Sequence, residues 1–229
     1  MSNGTDDFRH RSLPEQVADH IVVLIAKGQI KAGDRLFEND LCKMLGVSRI
    51  PVREALRILQ AQGVLRTEPN RGSFVSEYGS AETTEMLKVR LTVERLALRR
   101  LVPMVRRDPE LLVPLRRAID QLRDQTRLRN KLASCQADLE FHHRMVELSE
   151  SPTLLTVWEM LARGILVFFM HERHEYYDHE RNIRDHERLV EAIEAGRLAP
   201  LDDLIEEHIL KLYPVRAAEA GSAAVPTPS

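Results

Sequence analysis

The stretch Leu45-Gly46-Val47-Ser48-Arg49-Ile50-Pro51-Val52-Arg53-Glu54-Ala55-Leu56 decides the fold of the first third of this 229-residue chain. Gly46 ends a short helix over Glu38–Leu45 whose Leu41 and Leu45 point inward. Ser48 suits the N-cap of a second helix, which runs to about Gln62. Pro51 falls in its first turn, where a missing N–H is harmless. Val52, Ala55, Leu56 and Leu59 recur at helical spacing and face a core, while Arg49, Arg53 and Arg57 share another face. Two helices joined by so short a turn predict a helix-turn-helix.

Upstream, Val17, Ile21, Leu24 and Ile25 mark one face of a helix that begins at Leu13 and stops at Lys27-Gly28. Lys31-Ala32-Gly33-Asp34 reads as a turn, and Arg35–Phe37 as a short extended piece. Downstream, Gly63 closes the third helix. Val64–Thr67 and Ser73–Glu77 then form two β-like runs joined by Glu68-Pro69-Asn70-Arg71-Gly72, a hairpin with turn chemistry at its tip. Residues 13–78 therefore predict a winged helix-turn-helix DNA-binding domain, preceded by a flexible arm over residues 1–12.

After Gly79 the texture changes. Residues 80–216 contain two glycines and no alternating segment, and they predict six helices: about 81–102, 109–129, 131–149, 152–175, 178–196 and 199–217. Breaks fall at Pro103, near Asn130, at Ser151-Pro152, near Tyr177 and over Gly196–Pro200. Residues 217–229, rich in Ala, Pro and Ser, predict a disordered tail. The expected fold is mainly α, a winged helix-turn-helix joined to an all-α antiparallel bundle.

With 43% hydrophobic and 30% charged residues, the composition is that of an ordinary globular chain. A net charge of −2 excludes polybasic coating of nucleic acid or membrane by the chain as a whole. The charge is nevertheless uneven: Gly46–Phe74 carries Arg49, Arg53, Arg57, Arg66 and Arg71 against only Glu54 and Glu68. Cys42 and Cys135 lack CxxC spacing, which excludes a disulfide scaffold or a thiolate zinc finger. The first residues lack the apolar run of a secretory signal. The longest apolar run, Ile165–Met170, is far short of the ~20 residues of a membrane span. A cytoplasmic location without membrane association is expected.

The arginine stripe beginning at Ser48 carries the first piece of chemistry, because a guanidinium fork fits a phosphate or the O6/N7 edge of guanine. Asn70, Arg71 and Gly72 would place an amide, a cation and a bare backbone near a duplex. The second piece is a ligand set. Asp138 and His142 stand four residues apart on one helical face. His186 and His208 flank the turn at Gly196–Pro200 at similar distances, so an antiparallel pair of helices brings them level. One carboxylate and three imidazoles suit a divalent Zn, Ni, Co or Mn ion. His143, His171, His174 and His179 do not share that geometry and are left out.

Residues 13–77 resemble the GntR family of bacterial transcriptional regulators. The match rests on Gly28-Gln29-Ile30-Lys31-Ala32-Gly33-Asp34-Arg35-Leu36, on the VSRIPVREAL block at 47–56, and on Gly63 and Asn70-Arg71-Gly72. Ile50 departs from the family, which usually carries Thr or another small residue there. The resemblance implies DNA contacts from Ser48, Arg49, Pro51 and Arg53 on the recognition helix, from Arg35 near the first strand, and from Arg71 and Gly72 in the minor groove.

Residues 81–212 resemble the FCD ligand-binding domain of the FadR branch, in the six-helix VanR-type arrangement. That match rests on Arg90-Leu91-Thr92-Val93-Glu94, on Asp138 through His142, and on the His186–His208 block. Ser151 and Arg197 depart from common family residues. The resemblance implies that Asp138, His142, His186 and His208 are metal ligands and that Arg90 pairs with an effector carboxylate. An i, i+4 ion pair with Glu94 is the alternative for Arg90.

Together these readings predict a homodimeric, non-enzymatic repressor that binds a pseudo-palindromic double-stranded operator and responds to a small carboxylate held at a metal site. A metal-responsive regulator is an alternative. A metal-dependent hydrolase is disfavoured, because Glu140 points away from the Asp138–His142 face and no HExxH occurs.

Overall fold

A computed structural model describes residues 12–69, 71–77, 80–172 and 178–211. The arm over 1–11, Asn70 at the wing tip, the break near Tyr177 and the C-terminal tail lie outside the described residues. Helix α1, Leu13–Ala26, starts where the Ser12 backbone N–H donates to the Glu15 carboxylate at 2.8 Å, and it buries Val17, Ala18, Ile21, Val22 and Ile25. Strand β1 (Arg35–Leu36) follows, then α2 (Glu38–Leu45), α3 (Arg49–Ala61), β2 (Leu65–Glu68) and β3 (Gly72–Val75). Gly46 adopts a left-handed φ of 67° after α2, the turn geometry that lets α3 leave at an angle. Val52, Ala55, Leu56 and Leu59 are all buried.

The wing has three strands rather than two, in the order β1-β3-β2. Arg35 pairs with Phe74 and Leu36 with Ser73, while β2 runs antiparallel from Leu65↔Val75 to Glu68↔Gly72. A two-residue strand is too short to show alternation, so the sequence reads it only as an extended piece. Backbone bonds from Gly33 N to Val75 O (3.0 Å) and from Val75 N to Asp34 O (2.9 Å) complete the pairing.

The remaining chain contains six α-helices among the described residues: α4 (Ser80–Val105), α5 (Val113–Arg127), α6 (Lys131–Glu147), α7 (Pro152–Glu172), α8 (His179–Glu194) and α9 (Leu198–Glu206). Helix α4 does not break at Pro103. It continues to Val105, because a proline so near the C-terminus disturbs only one exposed turn while Val102 and Val105 stay buried. A 3₁₀ turn, Pro109–Leu112, precedes α5, with the Asp108 carboxylate accepting from Glu110 N at 3.1 Å. The sequence reads this turn as the start of the helix.

Side-chain caps set two further starts: Asn130 accepts from Ala133 N at 3.1 Å, and Asp178 from Arg181 N at 2.7 Å. The expected single helix from 199 onward is instead α9 followed by a π-helical turn, Glu207–Lys211, which carries His208. The wider turn admits an extra residue and rotates the side chains that follow relative to a regular α-helix.

Apolar packing is continuous from the head into the bundle, from Ile21, Ile25 and Leu59 through Leu98, Leu101, Leu115 and Phe141 to Ile193 and Ile205. Helix α7 is long and apolar enough over Pro152–His171 to meet a membrane-span criterion by length and composition. Here it packs against α1, α4 and α6, with Trp158, Ile165, Val167 and Phe169 buried.

Candidate functional site

Asp138 and His142 lie one turn apart on α6, His186 projects from α8, and His208 comes from the π-turn after α9. The structure brings these four buried side chains together, with one ligand atom from each lying within 4.8 Å of the others. His142 Nε2 stands 3.0 Å from His208 Nε2. The Asp138 carboxylate lies 3.8 Å from Nε2 of both His142 and His186.

Two imidazoles are aimed from behind. Glu94 on α4 accepts from His142 Nδ1 at 2.7 Å, which leaves the Nε2 lone pair facing the cluster. The Asn182 carbonyl accepts from His186 Nδ1 at 2.7 Å, and the Asn182 amide donates to Asp138 Oδ2 at 2.8 Å. Carboxylate and carbonyl partners on the far ring nitrogen are the usual means of orienting metal-ligating histidines. His208 Nδ1 is buried without a hydrogen-bond partner among the described residues. Burial, with His186 and His142 beside it, holds His208 well below its ordinary pKa, so it presents a neutral ring. The donor set thus fits a borderline divalent cation: one carboxylate oxygen and three imidazole nitrogens, all of them buried.

Glu94 and Asn182 hydrogen-bond members of the cluster, contacts that the sequence alone does not assign to them. Glu94 is fully buried, which would raise its pKa. The Arg90 charge and the His142 hydrogen bond outweigh burial and bring it down to about 2. Arg90 Nε donates to Glu94 Oε1 at 2.7 Å, and Trp158 Nε1 donates to the same oxygen at 3.0 Å. The i, i+4 ion pair considered for Arg90 is therefore formed. Arg90 Nη2 is nevertheless buried without a hydrogen-bond partner among the described residues, and its guanidinium lies 5.5 Å from the Phe169 ring centre. The Arg90-x₃-Glu94 spacing could have flagged the pair, but the same spacing is common on solvated helices. Asn182-x₃-His186 repeats the spacing of Asp138-x₃-His142 and is a second readable signal.

His143 lies 3.4 Å from Glu159, outside the cluster, as do His171 and His179; His174 is not among the described residues. Glu140 is held by Arg144 Nε at 2.6 Å and offers no general base to the cluster.

On α3, Ser48, Arg49, Arg53 and Arg57 are exposed. Arg53 makes a two-point contact with Glu38 on α2, at 3.0 and 2.9 Å, and Arg57 pairs with Glu54 at 3.0 Å. The hydrogen bond from Arg53 lowers the Glu38 pKa. Pro51 is buried, which sets its ring in the interior of the head rather than on the exposed face. Its neighbour Ile50 is 76% exposed, the most exposed large apolar side chain described. In the wing, Arg71 is exposed and pairs with Glu68. Arg35 stacks 4.6 Å from the Phe37 ring centre. Gly72 has a φ of 98°, and a Cβ there would stand 3.5 Å from Arg35 Nε, so the bare backbone permits both the turn and the arginine beside it.

Comparison with known proteins agrees with this two-part organisation. The family "Bacterial regulatory proteins, gntR family" matches residues 13–75, and the FCD domain matches residues 85–211. The probable D-xylose utilization operon transcriptional repressor of Paenarthrobacter nicotinovorans is 24% identical over 92% of this chain and 91% of its own length. The gluconate operon transcriptional repressor of Bacillus licheniformis is 28% identical over 78% and 74%. Among solved structures, E. coli McbR/YncC superposes with a TM-score of 0.73 at 23% identity, covering 88% of this chain and 97% of that one. These proteins are transcriptional regulators rather than enzymes. A winged helix-turn-helix head joined to an FCD bundle across nearly the whole chain makes this protein a member of the GntR family of DNA-binding transcriptional regulators, in its FadR-like, FCD-containing branch.

Proposed function

We propose that the protein is a dimeric, cytoplasmic repressor whose operator affinity is set by a small carboxylate bound at a metal centre in the bundle. The observation that carries this reading is the convergence of four buried ligands, two of their imidazoles oriented from behind, beside an arginine whose Nη2 is buried with no hydrogen-bond partner among the described residues. Asp138, His142, His186 and His208 would hold a Zn, Ni, Co or Mn ion. An ion that prefers six ligands would leave positions beyond these four for an organic acid. Arg90 would take the second charge of that acid, or its only one. The relatives named for xylose and gluconate operons support repression of a catabolic operon as the output.

At the other end, Arg49 and Arg53 would read base edges or phosphates in the major groove, with Ser48 at the helix start. Arg35, Arg71 and Gly72 would approach from the wing. Pro51 would act by shaping the first turn of α3. A pseudo-palindromic operator with half-sites about one helical turn apart requires two heads, hence a homodimer. An effector alters DNA affinity only to the extent that it prefers one arrangement of those heads.

Metal content by plasma mass spectrometry, wild type beside His186→Ala, tests the centre: about one divalent ion per chain is expected, and it is lost in the variant. A thermal-shift screen of organic acids on the metal-loaded protein then identifies the effector class. Absence of metal in a wild type supplied with each candidate ion refutes the centre, and duplex release on adding metal alone would make the ion itself the signal.

A further inference from the structure

Arg163, just past the middle of α7, joins the bundle to the head. Its Nε donates to Asp19 Oδ1 on α1 at 2.9 Å, and its Nη1 donates to Gln62 Oε1 at 2.9 Å. Gln62 is the C-cap residue of α3, the helix whose other end presents Ser48 and Arg49. The Arg163 side chain is only 15% exposed, so the contact is sheltered rather than a loose surface pairing. A planar fork that engages two helices at once resists their relative sliding more than a single bond would.

The same helix is tied to the candidate metal centre. Trp158, five residues before Arg163, donates to Glu94 Oε1 at 3.0 Å, and the other oxygen of Glu94 accepts a hydrogen bond from His142 Nδ1 at 2.7 Å. An unbroken series of contacts thus runs from ligand His142 through Glu94 and Trp158 into α7, and from Arg163 to the end of α3. Rigid helical elements joined by hydrogen bonds are the kind of route through which two sites bias one another.

We propose that Arg163 is a positioning residue for DNA binding: it holds the recognition helix against α7 and transmits the state of the bundle to it. The proposal rests on the reading of α3 as the recognition helix, and it deepens the regulatory function by naming the link. It requires reciprocity: if the bundle acts on α3 through Arg163, a duplex bound at α3 acts back on Trp158.

Trp158 is the single tryptophan of the chain, so its emission reports that return signal without labelling. The test uses the full-length protein and a duplex that the wild type has selected from a random-sequence library. Emission is followed during titration, with binding measured in parallel by anisotropy. Wild-type emission is expected to change in step with binding. In Arg163→Ala and in Gln62→Ala, saturating duplex is expected to leave less than half of that change. Arg163→Lys, which keeps the charge but loses the fork, should fall between. Should Arg163→Ala not fold, Gln62→Ala, cut at the far end of the same contact, decides. A wild-type emission that ignores bound duplex overturns the proposal, as does a full response in the folded variants.

A second arm separates this proposal from the metal reading. Zinc alone is added, and its content and the duplex affinity are both measured. With zinc bound, a shift in wild-type affinity of ~5-fold or more, the range usual for coupled sites, would mark the ion itself as a signal; with no shift, the Trp158 response alone decides the role of Arg163. Where the shift occurs, Arg163→Ala should bind the same zinc yet lose most of it, and an undiminished shift overturns the link. If no zinc binds the wild type, the metal reading fails, and the Trp158 response alone decides the role of Arg163.

Discussion

Glu94 on α4 accepts a hydrogen bond from Nδ1 of His142 on α6 at 2.7 Å, and this contact between two completely buried groups sets which nitrogen of His142 faces the cluster. Glu94 also satisfies Arg90 and Trp158, so one carboxylate couples the ligand set, the Arg90 guanidinium and α7.

Replacing that carboxylate with its uncharged isostere tests the coupling. Glu94→Gln is expected to weaken metal affinity ~10–100-fold, the range found when partners of ligating histidines are removed. It should also lower folding stability by ~3–5 kcal/mol, because Arg90 is left buried without its counter-charge. Metal competition against a chelating dye and chemical denaturation measure the two effects. Unchanged metal affinity in Glu94→Gln would refute the orienting role.

The two arginine groups of the head should differ in kind. Arg49→Ala is expected to cost ~1–3 kcal/mol on the selected duplex and to relax the sequence requirement under it. Arg71→Ala, at the wing, should weaken selected and unrelated duplexes alike and reduce the salt dependence by about one ion. Anisotropy across a salt series distinguishes them; identical profiles for both variants would contradict the division of roles.

Ile50 is exposed in the first turn of α3 beside Arg49, and a bare apolar side chain there suits the methyl group of thymine. Ile50→Thr is expected to lose ~1 kcal/mol of discrimination at a single base pair of the site, within the range of one mismatch. Selection from a random library with wild type and variant reads this directly. Two identical consensus sequences would exclude Ile50 as a reader.

Phe141 packs edge-on against both His142 and His186, with ring centres 5.3 and 4.6 Å apart, and it is wholly buried. Phe141→Ala should destabilise the protein by ~3–5 kcal/mol through the cavity it opens. Because the cavity loosens two ligands and so weakens metal binding, the loss should be larger in excess metal than in chelator. Melting curves under the two conditions provide the comparison, and a metal-independent loss would separate Phe141 from the centre.

The parts of this fold that were legible in the sequence are those governed by local periodicity and turn chemistry. Gly46, Ser48 and the Val52–Leu59 spacing suffice for the helix-turn-helix, because caps and buried faces are set within a few residues. Asp138 and His142 were legible for the same reason, since four residues on a helix place two side chains on one face. His186 and His208 follow from their level positions about a turn, although the π-turn that presents His208 leaves no signal in that spacing.

What the sequence by itself determined is therefore the head, the helical nature of the rest, and the residue types that converge on one centre. Tertiary structure alone decided the third strand of the wing, because two residues acquire strand character only by pairing with Phe74 and Ser73. It also decided that Arg90 and Glu94 are interior, that Pro51 is buried while Ile50 is exposed, and that Arg163 reaches Asp19 and Gln62. An i, i+4 ion pair reads the same on a solvated helix as on one enclosed by its neighbours. A contact spanning a hundred residues leaves no period in the chain. The physical reason is common to all of these: burial and long-range partnership depend on how helices pack against one another, whereas spacing along the sequence records only which side chains share a face.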